Sequence, residues 1–71
     1  MMRIEFKPKF AIVARTLGGV YSTLFENEGD MDKALDVLRH MSTVSILREY
    51  RNENSDTLQQ KVDDYIRNLS I

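Results

Sequence analysis

Two adjacent glycines, Gly18 and Gly19, divide a stretch that is rich in β-branched and aromatic side chains. Side chains of these types lose rotamer freedom in a helix and fit well on the pleated surface of a strand. Glycine takes the positive φ angles that a tight hairpin turn needs. The pattern therefore predicts a β-hairpin over residues 10–26, with one of the two glycines in a left-handed turn position.

A helix is the alternative for the same stretch. Its apolar residues also recur at spacings of three and four, which would place one apolar stripe along a helix. Two glycines in the middle of that helix would each cost about 1 kcal/mol relative to alanine, so the hairpin is preferred. If the stretch is helical, the fold becomes an all-α three-helix bundle.

Two amphipathic helices are predicted after the hairpin. The first covers residues 30–41, with Asp30 placed to cap its free amides, and the second follows Ser55 and Asp56. Each has apolar residues at spacings of three and four. We expect four of these side chains to be almost fully buried: Leu35, Leu38, Val62 and Ile66.

Residues 43–51 are predicted as a third strand, because Val44, Ile46 and Tyr50 alternate with Ser45, Leu47 and Glu49. The order is then strand, strand, helix, strand, helix, in one domain that spans residues 1–71. The third strand would return after a helical crossover to pair with one of the first two. The predicted fold is α+β, a small three-stranded sheet with both helices on one face.

This layout leaves the second face of the sheet uncovered, and an exposed apolar patch of that kind marks an interface. The inner face would hold Phe10, Ile12, Ala14, Val20 and Leu24, among others. A chain of 71 residues without cysteine gains stability from burying further apolar area against a partner. The sequence predicts a homodimer or larger assembly, or docking on a larger protein, through this outer face or an unpaired sheet edge. The predicted interface residues are Val13, Tyr21, Phe25 and Leu47.

Basic residues on or near the predicted strands support a second hypothesis, a regulatory module that binds nucleic acid. Positive charge interleaved with tyrosine rings is the combination that binds single strands. The net charge is only −1, however, and such binding draws on a broad basic face, so this hypothesis is not favoured. The candidate contacts are Lys7, Lys9, Arg15, Arg48 and Arg51.

Side chains suited to catalysis or metal binding are scarce. His40 is the only histidine and cysteine is absent, so one chain offers neither a two-histidine site nor a thiolate site. The acidic residues between positions 26 and 36 lack the ligand spacing of a calcium loop. We therefore expect a non-enzymatic regulatory or interaction protein without metal or cofactor. The lack of cysteine and of a long apolar segment predicts a cytoplasmic protein with no membrane partner.

Overall fold

The computed structural model describes residues 5–69 and contains a three-stranded antiparallel sheet with two helices. The elements are β1 (Phe10–Thr16), β2 (Gly19–Phe25), α1 (Glu28–Arg39), β3 (Ser45–Tyr50) and α2 (Ser55–Leu69). The predicted α+β class and the order of the elements are confirmed. The three-helix bundle is excluded, because residues 10–16 and 19–25 are strands.

The hairpin turn consists of Leu17 and Gly18, since Thr16 pairs with Gly19 across it. Gly19 has a φ of 123°, in the region that side chains rarely adopt, so the predicted positive φ is confirmed at the first residue of β2, directly after the two-residue turn. The Thr16 side chain closes the turn. Its Oγ1 accepts a hydrogen bond from the Gly18 amide at 3.1 Å and donates one to the Gly19 carbonyl at 3.1 Å.

The sheet has the order β2-β1-β3, so β1 is the central strand and pairs antiparallel with both neighbours. The pairing of β1 with β3 is irregular between Val13 and Ala14. Helix α1 connects β2 to β3 across β1, as the predicted crossover requires. It therefore runs from the Phe25 end of the sheet to the hairpin end, where Arg15 pairs with Ser45.

The two helices cover opposite faces of the sheet, so the prediction that both lie on one face is wrong. On one side, Met31 and Leu35 of α1 pack against alternate β1 residues, namely Phe10, Ile12 and Ala14. On the other, Leu58 and Val62 of α2 pack against the intervening residues Ala11 and Val13, together with Tyr50. The physical reason lies in β1, which is apolar at every position from 10 to 14. A central strand of that composition is buried on both faces and needs cover on both.

The side chains of β2 also lie on the opposite faces of the sheet from those predicted. The prediction placed Val20 and Leu24 on the face of Phe10. In the structure Phe10 pairs with Phe25, whereas Ala11 pairs with Leu24 and therefore shares a face with it. Directly opposed residues of antiparallel strands point to the same side, so Val20 and Leu24 face α2.

Both helices begin before the predicted caps. Asn27 is the N-cap residue of α1 in place of Asp30, and the Asn54 side chain accepts a hydrogen bond from the Asp56 amide at 2.8 Å in the first turn of α2. Of the four predicted core residues, Leu35 and Val62 are almost fully buried, which confirms them. The other two, Leu38 and Ile66, are only half-buried at the margins of the two cores.

Candidate strand-docking edge

The structure does not gather the four predicted interface residues on one surface. Val13 is fully buried, and Leu47 packs against the same cluster beneath α2. Phe25 packs at the margin of the core beneath α1, and Tyr21 is 57% exposed. The uncovered face on which these four residues were predicted to lie is occupied by α2. That premise of the predicted interface is wrong, while self-association itself stays a prediction.

The two edge strands differ in the charge that they carry. Within residues 5–69, β2 pairs only with β1, so its other side is a free edge. The sequence from position 16 to 25 contains no Lys, Arg, Asp, Glu or Pro. Natural proteins protect sheet edges with charges, prolines or bulges, because an unprotected edge is a template for another strand. The free edge of β2 carries none of the protective residue types.

The other edge strand, β3, is protected. Arg48 and Glu49 lie in its middle, and its pairing with β1 contains an irregularity that disturbs a flat ladder. Glu49 is held by Arg39 of α1 at 3.1 Å and by Arg51 at 3.0 Å. A strand docking on β3 would meet these charges, so β2 is the edge better suited to pairing.

Arg51 is the centre of an ion-pair network that fixes α1 to the end of β3. Its guanidinium contacts Glu28 at 2.7 Å, Glu49 at 3.0 Å and Asp32 at 3.1 Å. Hydrogen bonds to Glu28, then Glu49, then Asp32 raise the pKa of Arg51 above its ordinary value. These contacts use three of the five guanidinium N–H donors and surround Arg51 with carboxylates, which would repel a phosphate.

The Arg51 network also orients α1 about its axis. Because Glu28, Asp32 and Arg39 contact residues on the β3 side, helical periodicity turns Val37 toward the β2 side. Met41 lies beyond the end of α1, in the turn that leads to β3, where its carbonyl accepts a hydrogen bond from the Val44 amide at 3.1 Å. Val37 is 62% exposed and Met41 is 46% exposed.

Exposed apolar residues accompany the free edge of β2 at the hairpin end. Tyr21 points to the α1 face, since it pairs with the inward-facing Ala14, and its hydroxyl donates to the Gly18 carbonyl at 3.2 Å. Leu17 at the turn is 88% exposed. We call this set the β2 flank: Leu17, Tyr21 and Val37.

The predicted nucleic-acid contacts do not form one basic surface. Lys9 precedes β1 and Arg15 lies near its other end, a separation of about 20 Å at the rise of a strand. Lys7 pairs with Glu5 at 3.3 Å, and the Arg48 guanidinium lies 4.9 Å from the centre of the Tyr50 ring. With Arg51 held by three carboxylates, no observation favours the nucleic-acid hypothesis.

Two of the grooves on the described surface are open and of mixed charge. The larger has a volume of about 550 Å³ and lies between Lys7, Lys9 and the start of α2. The smaller, about 500 Å³, lies beside Tyr50 and Tyr65. Among residues 5–69, no group of three or more His, Asp or Glu side chains is placed to hold a metal ion. His40 is exposed after α1, with its Nδ1 2.6 Å from the Asp36 carbonyl oxygen, a local contact at the helix end.

No protein-family model matches the chain, and no curated protein or solved structure matches it either. Over the described residues, no helix is both long enough and apolar enough to cross a membrane. The function is therefore inferred from the geometry of the chain itself.

Proposed function

We propose that this chain is a small, non-enzymatic protein-interaction module that binds another polypeptide strand along the free edge of β2. The observation that carries the proposal is the contrast between the two sheet edges. The β2 edge is uncharged, whereas the β3 edge contains Arg48 and Glu49. An edge without charges accepts an added strand at the lowest cost in desolvation.

Strand addition would use two parts of this surface for different purposes. The backbone amides and carbonyls on the outer side of β2 supply hydrogen bonds to any extended chain, and such bonds give affinity. Side chains beside the edge give specificity. The β2 flank offers exposed apolar and aromatic side chains there, of the types enriched in protein interfaces.

Affinity capture with paired variants tests the proposal. Thr23 is exposed in the middle of the β2 edge, so Thr23→Lys adds a charge there without entering the core. Ser45→Lys adds the same charge at the start of β3, where Ser45 is also exposed, and serves as the matched control. We expect Thr23→Lys to lose the polypeptides that the parent retains, whether copies of this chain or foreign proteins, and Ser45→Lys to keep them.

Circular dichroism of both variants must first show the helical signal of the parent, so that any loss of binding reports the edge and not unfolding. If Thr23→Lys retains the same polypeptides as the parent, β2 is not the binding edge and the proposal is wrong.

A further inference from the structure

We infer that the strand added to β2 is the β2 of a second copy of this chain, paired antiparallel around a two-fold axis that passes beside Ser22. This inference rests on the proposed function and names the partner of that edge. The result would be a continuous six-stranded sheet, with the two β2 strands at its centre and β3 at each end.

The sequence of β2 is self-complementary about Ser22. Seven residues, Gly19–Phe25, form the strand, and Ser22 is the middle one. An antiparallel pairing centred there places Val20 of one copy opposite Leu24 of the other, two apolar residues on the α2 face. Tyr21 then lies opposite Thr23 on the α1 face. Pairs of aromatic or apolar residues with β-branched or apolar residues are the favourable cross-strand combinations.

Charge also favours a second copy as the occupant. Two identical strands bring identical charges together, and like charges directly opposite each other destabilise a sheet. The uncharged β2 avoids this repulsion in any self-pairing. An edge selected for a charged foreign strand would be expected to carry the complementary charges, and β2 carries none.

The chain exposes more surface than a compact monomer of its mass. A monomer of this mass exposes about 4600 Å² by the scaling of area with mass, whereas this chain exposes 5370 Å². The excess is about 800 Å², of the same order as one partner's share of a standard interface, and it is not confined to the β2 edge. Part of this excess area comes from the exposed residues before β1. The β2 edge and the β2 flank also contribute exposed area, part of which pairing would bury.

Disulfide cross-linking tests the inference directly, because the chain has no cysteine of its own. In antiparallel pairs, directly opposed Cα atoms lie about 4.5–5.5 Å apart, within the range that a disulfide spans. Ser22 is exposed, so Ser22→Cys leaves the core intact. The control is Asp36→Cys, on the outer side of α1, where the side chain is 80% exposed.

We expect Ser22→Cys at micromolar concentration to form covalent dimers under mild oxidation at least about tenfold faster than Asp36→Cys, since pairing raises the effective concentration of the two thiols. Equal rates for the two variants would overturn the inference. Faster cross-linking of Thr23→Cys than of Ser22→Cys would overturn the position of the axis.

The outcome separates this inference from the proposed function. If Ser22→Cys does not cross-link but the parent captures foreign polypeptides that Thr23→Lys loses, the partner is not a second copy and the edge still binds a strand. If neither occurs, both the inference and the proposed function are wrong.

Discussion

Gly19 and Gly29 should respond in opposite ways to substitution by alanine. A Cβ at either position would meet no atom within 4 Å, so sterics do not distinguish them. Gly19 has a φ of 123°, whereas Gly29 lies in the first turn of α1. Gly19→Ala should lower the free energy of unfolding by about 1–3 kcal/mol, and Gly29→Ala should raise it by about 0.4–1 kcal/mol. Urea denaturation of both variants checks this, and changes of the same sign would contradict the turn geometry.

Arg51 should matter more for stability than Arg39. Among residues 5–69, Arg51 joins three carboxylates, whereas Arg39 joins Glu49 alone. The raised pKa of Arg51 means that its contribution is present at all pH values below its ordinary pKa and would be lost only above the raised value. Near neutral pH the network should therefore respond to salt and not to titration of Arg51.

The test compares melting temperatures of Arg51→Gln and Arg39→Gln at low and high salt. At low salt we expect the larger decrease in melting temperature for Arg51→Gln. The difference in melting temperature between the two variants should be smaller at high salt, because salt screens the network. Equal decreases for the two variants would show that the network of three carboxylates adds nothing beyond a single surface pair.

The helices α1 and α2 each support one of two separate cores, so each should contain a residue of comparable importance. Leu35 of α1 is 1% exposed and Leu58 of α2 is 0% exposed, on opposite faces of β1. Leu35→Ala and Leu58→Ala should each lower the free energy of unfolding by about 2–5 kcal/mol. Leu69→Ala, at the 37% exposed end of α2, should change it by less than about 1 kcal/mol.

Urea denaturation measures all three variants. If Leu58→Ala changes the free energy of unfolding as little as Leu69→Ala does, α2 does not cover the second face of the sheet, and that face is an uncovered apolar surface.

The elements could be predicted from the sequence because their signals are local. The glycines in the turn and the spacing of apolar residues in α1 and α2 depend only on neighbours along the chain. The face that α2 covers could not be read from α2, because one apolar stripe fits either side of a sheet. The signal lay in β1, where Phe10, Ala11 and Ile12 are consecutive apolar residues, as expected of a strand buried on both faces.

The candidate site could also be predicted only in part, because it depends on how the strands pair. The predicted faces of β2 are wrong by one residue, because the faces of a hairpin are fixed by which residues pair across the turn, here Thr16 and Gly19. A one-residue error moves every side chain to the other face. The uncharged run from position 16 to 25 is visible in the sequence, but its meaning depends on β2 being an edge strand, which follows only from the pairing order.

For the molecule as a whole, β2 is the part of the sheet that is neither central like β1 nor charged like β3. Its side chains are partly covered by α1 and α2 through Phe25, Val20 and Leu24, while its backbone edge and the β2 flank are left exposed. Pairing of two copies along that edge would satisfy its backbone groups, place Tyr21 against Thr23 of the second copy and lengthen a sheet that has three strands among residues 5–69.

The mass of the parent in solution, measured by light scattering after gel filtration at micromolar concentration, tests this account most directly. We predict a mass of twice 8.3 kDa for the parent, and a mass near 8.3 kDa for Thr23→Lys with its helical signal retained. A parent that elutes at 8.3 kDa across the micromolar range would contradict the pairing of β2 with its own copy.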